Sequence, residues 1–291
     1  DKIEEYKLNK VKENFDGATL SWLESEGLDS EQTVGIGADE TIKFLEKFSK
    51  SKENFFLAFG LYRPHIPFVA PKKYFELYEK DDMVVPSNGD DFLKTISAPA
   101  AKSLRARKEQ INLDDSTIKT VKEAYYATTS FVDAQVGKVL DKLKETGLDK
   151  NTIVVFTSDH GYHLGEKGHW QKQTLYERAT RVPLIISGPG IISGIKIKDS
   201  PVELVDLYRT IMDMANVSTP EFVQGFSLKD VLTKNIQHKR KSALSEVNVY
   251  LEGKKAQGYS IKTDRFRLIK LNHKDLSLIH ISEPTRLERI S

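Results

Sequence analysis

Apolar residues recur along this chain either at helical spacing or in short unbroken runs. Ile42, Phe44, Leu45 and Phe48 fall near the helical period within ADETIKFLEKFS, which predicts a helix over Ala38–Ser49. Ser116–Thr146 repeats that spacing through Ile118, Val121, Tyr125, Val132, Val136, Val139 and Leu143. Asp115 or Ser116 can cap its start, and Gly147 can end it. Val202–Ala215 is a third amphipathic helix. Three runs of strand length lie between these helices: FFLAFG (Phe55–Gly60), TIVVF (Thr152–Phe156) and VPLIIS (Val182–Ser187). An unbroken apolar run marks a strand buried on both faces. Helices alternating with such strands predict an α/β domain whose mainly parallel sheet is flanked by helices.

The remaining stretches carry weaker patterns. Residues 1–38 are polar and weakly periodic. Pro64, Pro67 and Pro71 forbid helix and impose an extended loop. Residues 80–115 are charged and irregular and read as a surface excursion, with the pairs Asp81–Asp82 and Asp90–Asp91 as solvated carboxylates. Tyr125, Tyr126 and Phe131 read as core, and Lys239–Arg240–Lys241 as a solvated turn. Asn216-Val217-Ser218 fits a glycosylation sequon, a motif frequent by chance. Gly258–Ile261 and Phe266–Ile269 suggest a hairpin in a small antiparallel subdomain. The division expected is an α/β domain over 1–240, the start of a C-terminal subdomain over 241–275, and a tail over 276–291. LSLIHISEPTR (276–286) resembles the translation of a sequencing adapter, so the tail is expected to be non-native. The opening DKIEEYKLNK has neither an initiator Met nor an apolar leader, and the chain reads as a fragment.

Composition narrows the function classes. The chain has 291 residues, of which 39% are hydrophobic, enough for a core and against disorder of the whole chain. No run approaches the ~18 apolar residues of a membrane-spanning helix. A net charge of +2 gives no argument for nucleic-acid binding. With Cys 0, disulfides, thiolate metal sites and cysteine nucleophiles are excluded from this chain. Nothing in the sequence fixes an oligomeric state.

Two strands run into polar clusters, where ligands of open α/β sheets bind. After TIVVF comes TSDHGYHLGEKGHWQK, which holds His160, His163 and His169, three of the seven His. A carboxylate and an imidazole in sequence, Asp159 and His160, can share a cation. Asp159 suits a hard ion such as Ca²⁺ or Mg²⁺, while the mixed pair would also suit Zn²⁺. A solvated loop explains the composition equally well. After FFLAFG comes LYRPHIPF, whose prolines stiffen the directions of Arg63 and His65. Cationic donors on a rigid loop suit an anionic, oxygen-rich ligand.

The segments FFLAFGLYRPHIPFVAPKKYFELY (55–78) and TIVVFTSDHGYHLGEKGHWQKQTLYERATRVPLIISGPG (152–190) resemble the sulfatase family, in its iduronate-2-sulfatase-like branch. VELVDLYRTIMDMANV (202–217) and GYSIKTDRFRLIKL (258–271) extend the resemblance. It implies an alkaline-phosphatase-like α/β fold and hydrolysis of sulfate esters, with sulfated carbohydrate the expected substrate. It also implies Ca²⁺ and a formylglycine nucleophile, made from the Cys or Ser of a C/S-x-P-x-R motif. Position by position, Asp159 and His160 would be metal ligands. His65 and Lys172 would contact the sulfate as catalytic residues, and Arg63, His163 and His169 would line the substrate pocket. The first metal-binding Asp pair and the nucleophile of the family find no match here. Ser282-Glu283-Pro284-Thr285-Arg286 fits the Ser form of the motif but sits in the suspect tail, without its strand and helix. The chain alone is therefore expected to be inactive and its parent to be exported, whether periplasmic, extracellular or lysosomal. The rivals are a phosphodiesterase or phosphonate hydrolase of the same superfamily, and a non-catalytic binder of sulfated glycan.

Overall fold

The structure is a computed structural model, and it describes residues 8–11, 19–51, 53–87, 89–105, 107–196, 200–251, 254–273 and 276–282. The first elements are β1 (Asn9–Lys10), β2 (Ser21–Ser25), α1 (Thr33–Ser51), β3 (Phe68–Pro71) and α2 (Lys72–Phe75). Helices α3 (Gly89–Thr95), α4 (Ala98–Leu104) and α5 (Asp115–Glu145) follow, then β4 (Val154–Thr157), β5 (His163–Leu164) and β6 (Trp170–Gln171). The chain continues through α6 (Glu177–Thr180), β7 (Leu184–Ser187), α7 (Asp206–Met214) and α8 (Lys229–Lys234). It closes with β8 (Ala243–Leu251), β9 (Lys254–Lys262), β10 (Arg267–His273) and β11 (Leu276–Ser282). Two compact units result. The first holds residues 1–89, 107–152 and 164–169, and the second holds 90–106, 153–163 and 170–291.

The first unit is organised by α5. Its cap is Asp114, one residue before the expected candidates: Oδ1 accepts from the Thr117 amide at 2.9 Å. Gly147, at φ 72°, follows the last turn in the left-handed conformation that favours glycine. Val121, Ala124, Ala127, Thr128, Phe131 and Gln135 form one buried stripe. The Phe68 ring meets Tyr125 edge-on at 5.6 Å, and Tyr74 lies 5.3 Å from Phe131. Asp29 accepts hydrogen bonds from Tyr74 Oη at 2.7 Å and Gln135 Nε2 at 2.9 Å, and Lys73 Nζ stands 2.8 Å away. Burial pushes the Asp29 carboxyl up, but these donors together hold it below the ordinary carboxylate range. Helix α1 begins five residues before the expected start. Strand β2, in a stretch read as merely polar, pairs in parallel with β3 from Trp22–Phe68 to Ser25–Pro71. Phe55–Gly60, expected as a buried strand, joins no ladder among the described residues, and its residues alternate between half-buried and exposed.

Among the described residues, two sheets lie wholly within the second unit. β4 and β7 pair antiparallel, Val154 opposite Ser187 and Thr157 opposite Leu184, where parallel neighbours were expected. β11, β10, β9 and β8 form an antiparallel sheet in that order, so the expected hairpin is its centre. The stretch 276–282, read as a tail without periodicity, adds to the edge of β10 by backbone pairing, which any extended segment can do. The excursion at 80–115 also differs from expectation. Ile96, Ala100 and Leu104 are buried with Leu175, Tyr176, Ile269 and Leu271 in the core of this unit. Arg240 is no solvated turn residue either. Its Nη1 lies 2.6 Å from Glu203 Oε2 and its Nη2 2.5 Å from the fully buried Asp206.

Candidate active site

In the first unit the loop after Phe55–Gly60 turns at Tyr62–Ile66, where the His65 amide donates to Tyr62 O at 3.1 Å. His65 Nδ1 lies 2.7 Å from Ile66 O and 3.1 Å from Tyr62 Oη. A carbonyl partner places the proton of a neutral ring on Nδ1 and leaves Nε2 as the acceptor. Arg63 is buried instead of displayed, with Nη1 donating to His65 O at 3.1 Å. Burial pushes its guanidinium down to about 10, and the Tyr62 ring lies 5.3 Å from its Cζ. Arg63 thus braces the loop, in which His65 is half-buried and Tyr62 is exposed.

In the second unit β4 ends in Ser158-Asp159-His160-Gly161. Gly161 is required by packing. Its amide donates to Ala179 O at 2.8 Å, and a Cβ there would meet Arg178 O at 2.0 Å. This seats the turn on α6 and fixes the two residues before it. Asp159 Oδ1 accepts from the His160 amide at 2.9 Å, and Ser158 Oγ donates to His160 O at 2.9 Å. His160 Nδ1 lies 2.8 Å from Gly161 O, which leaves Nε2 unprotonated in the neutral ring. That Nε2 is 3.7 Å from Asp159 Oδ2. Two atoms each about 2.3 Å from one cation lie about 3.2–3.7 Å apart, so the pair fits adjacent ligands of a single ion. It fits as part of a site only. Ca²⁺ takes about 6–8 oxygens, and among the described residues no group of three or more His, Asp or Glu could hold a metal. In the excursion Asp91 is ion-paired with Lys94 at 3.1 Å, Asp90 with Arg105, and Asp81 with Lys119 at 3.4 Å.

The other expected residues are placed less openly. His163 is fully buried in the second unit, with Nε2 2.9 Å from Thr174 Oγ1. His169 is buried in the first unit, and its carbonyl accepts from the Gly165 amide at 3.0 Å. Lys172 is half-buried in the second. It is flanked by Gln171 and Gln173, whose φ values of 71° and 68° are left-handed. Such a backbone costs a residue other than Gly or Asn roughly 1–3 kcal/mol. Composition gave no signal of these two residues, because glutamine has no preference for that region.

Two family models match the chain. That of the sulfatases matches residues 6–217, and that of the N-sulphoglucosamine sulphohydrolase C-terminal region matches residues 165–283. A sulfatase of Formosa agariphila is 37% identical over 232 residues, covering 78% of this chain and 44% of the relative. Iduronate 2-sulfatase of Mus musculus is 37% identical over 163 residues, covering 52% and 30%. The chain thus spans less than half the length of these relatives. The solved structure of a phosphonate monoester hydrolase from Silicibacter pomeroyi is 25% identical with a TM-score of 0.77, covering 88% of this chain and 55% of that one. The fold is the alkaline-phosphatase-like α/β fold with a small antiparallel C-terminal sheet, as expected. The match over residues 6–217 takes in both polar loops, and the chain belongs to the sulfatase family.

Proposed function

We propose that the parent protein hydrolyses sulfate esters on carbohydrate, and that this chain supplies one part of its active site. The observation that carries the proposal is the Asp159–His160 pair, held at the end of β4 with Nε2 and Oδ2 3.7 Å apart, in a chain of the sulfatase family. The pair would hold Ca²⁺ together with oxygen ligands from outside the described residues. The bound ion would neutralise charge on the sulfate oxygens. The Lys172 ammonium would donate to those oxygens, and His65 would donate from Nε2 when its ring is doubly protonated, with Arg63 bracing His65 and His163 and His169 shaping the walls. A formylglycine would be the nucleophile. Cys is 0, and residues 283–286 of the Ser282–Arg286 string lie outside the described residues; in this reading the nucleophile would come from outside this chain. The chain alone is then inactive. Phe156 and Ile185, on the exposed strands β4 and β7, would be covered by the rest of the parent. Export of the parent fits the iduronate sulfatase relatives, and among the described residues no helix is long and apolar enough to cross a membrane.

The likeness to a phosphonate monoester hydrolase favours a second reading, transfer at phosphorus. One experiment separates the two. The complete gene product is assayed on an aryl sulfate and an aryl phosphonate monoester, before and after chelation and Ca²⁺ return. We expect the sulfate to be preferred, activity to be lost with the metal, and Asp159→Asn to lower kcat by more than about a hundredfold. Preference for the phosphonate would replace this reading by the second, and undiminished Asp159→Asn activity would remove the pair from the mechanism.

A further inference from the structure

We infer that a cavity between α4 and the C-terminal sheet receives the acetamido group of an amino sugar that carries the sulfate ester. The inference rests on the proposed sulfatase reading and deepens it by naming the class of sugar. The cavity lies wholly within the second unit and has a volume of about 20 Å³. One water-sized group needs roughly 10–15 Å³ by the same measure, so the cavity admits one group of about that size, such as a methyl. Its floor is apolar: Ala100 and Leu104 of α4, Leu175, and Ile269 and Leu271 of β10, all buried. Its rim is open, because Gln173 is exposed and Ser103 and Val247 are half-buried. Ser97 also lines it, and its Oγ is buried without a hydrogen-bond partner among the described residues. Ser97 is the N-cap residue of α4, where a serine ordinarily accepts from a backbone amide of the first turn, yet its side chain makes no cap. A buried hydroxyl left unpaired costs stability unless a ligand or a water completes it.

The chain itself ties the cavity to the candidate site. Gln173 and Thr174 line it, and Lys172 directly precedes them. Thr174 Oγ1 is 2.9 Å from Nε2 of His163, three residues after His160. The chemistry of the lining then names the ligand. No charged side chain is among the residues that line the cavity, so a sulfate, carboxylate or ammonium group would be buried there without a counter-charge. The floor suits a methyl, and Ser97 Oγ needs one hydrogen-bonding partner beside it. An acetamido group offers both on one carbon: a methyl, and a carbonyl oxygen that accepts from the hydroxyl. A sugar hydroxyl would meet Ser97 but leave the floor without an apolar partner.

The test is calorimetric titration of the complete gene product. The probes are N-acetylglucosamine 6-sulfate and N-acetylgalactosamine 4-sulfate, each beside its N-formyl counterpart, which lacks only the methyl. We expect at least one N-acetyl sugar to bind about tenfold more tightly than its counterpart. Ala100→Val fills the cavity and should bring that ratio to within about twofold of unity by weakening the N-acetyl sugar alone. Ser97→Ala keeps the methyl pocket, so it should weaken both sugars about fivefold and leave their ratio in place. If Ala100→Val does not fold, the wild-type ratio and Ser97→Ala still decide. Cleavage of a sugar-free aryl sulfate by the wild type reports on the sulfatase reading separately. Absence of cleavage beside the expected ratio would remove that reading and leave the acetamido subsite standing. Equal binding of the N-acetyl and N-formyl sugars, no binding of either, a ratio that survives in folded Ala100→Val, or wild-type affinities in Ser97→Ala would each overturn the inference.

Discussion

Strands β4 and β7 have the more apolar sequences in the second unit, VVFT and LIIS, yet Phe156 is 38% and Ile185 59% exposed. In the C-terminal sheet β10 reads RLIKLNH, with two lysine or arginine residues in seven, yet Ile269 is 5% and Leu271 7% exposed. Burial here follows the neighbours a strand has and not its own hydrophobicity. Ile269 and Leu271 lie on the face covered by α4, through Ala100 and Leu104. Among the described residues β4 and β7 pair with each other and nothing else. The C-terminal sheet carries its own cover and the β4–β7 pair does not. In the proposed reading the parent supplies that cover.

The largest effect is expected where the covered sheet holds a buried charge. Arg267 donates from Nη1 to Leu175 O at 3.1 Å and Ser260 Oγ at 2.8 Å, and from Nη2 to Glu177 Oε2 at 2.6 Å. Arg267→Ala would leave that carboxylate and carbonyl with fewer partners. Glu177 keeps some contact with water, so the cost falls below that of a fully buried pair, at about 2–4 kcal/mol. Chemical denaturation reads it. A loss under about 1 kcal/mol would mean that the sheet does not depend on this bridge.

Arg267 also shows what the sequence could and could not tell. Helix α5 was legible because its signal is local: a 3.6-residue repeat, an Asp cap and a terminal glycine. The hairpin of β9 and β10 was legible for the same reason. Strand β2 was not, because SWLES becomes a strand by pairing with Asn9–Lys10 and with Phe68–Pro71, the latter more than forty residues away. The burial of Arg63, Arg240 and Arg267 was hidden too. A basic residue is exposed by default, and only distant partners such as Asp206 and Glu177 reverse that. At the site, the adjacency of Asp159 and His160 was plain in the sequence. The left-handed backbone at Gln171 and Gln173 was not, since it is imposed by their surroundings.

Truncating matched aliphatic residues sharpens the comparison directly. Leu271→Ala should cost about 2–4 kcal/mol, through lost burial and the cavity left behind. Ile185→Ser should change stability by no more than about 0.5 kcal/mol in this chain, because the side chain is already in water. In the complete gene product the same Ile185→Ser should become destabilising by about 1–3 kcal/mol if the rest of the parent covers β7. Equal, small effects in both proteins would show that the β4–β7 face stays open and would remove that part of the proposal.

The smallest effect concerns the polar cluster leading into β8. His238 is buried, with Phe226 edge-on at 6.3 Å and its Nε2 without a hydrogen-bond partner among the described residues. Burial lowers its pKa. Asp206 opposes that shift and Arg240 adds to it, and the folded value ends below the ordinary histidine value. The unfolded chain then binds a proton at a higher pH than the folded one. Between the two values stability rises with pH. The contribution is complete above the unfolded value near 6.5, is lost as pH falls through it, and levels off below the folded value. Denaturation midpoints measured from about pH 5 to pH 8 should therefore fall towards acid more steeply in the wild type than in His238→Gln, with the two slopes converging above about pH 7. Parallel slopes would mean that the ring takes up its proton without disturbing Arg240 and Asp206. The cluster would then be a fixed strut and not a pH-sensitive one.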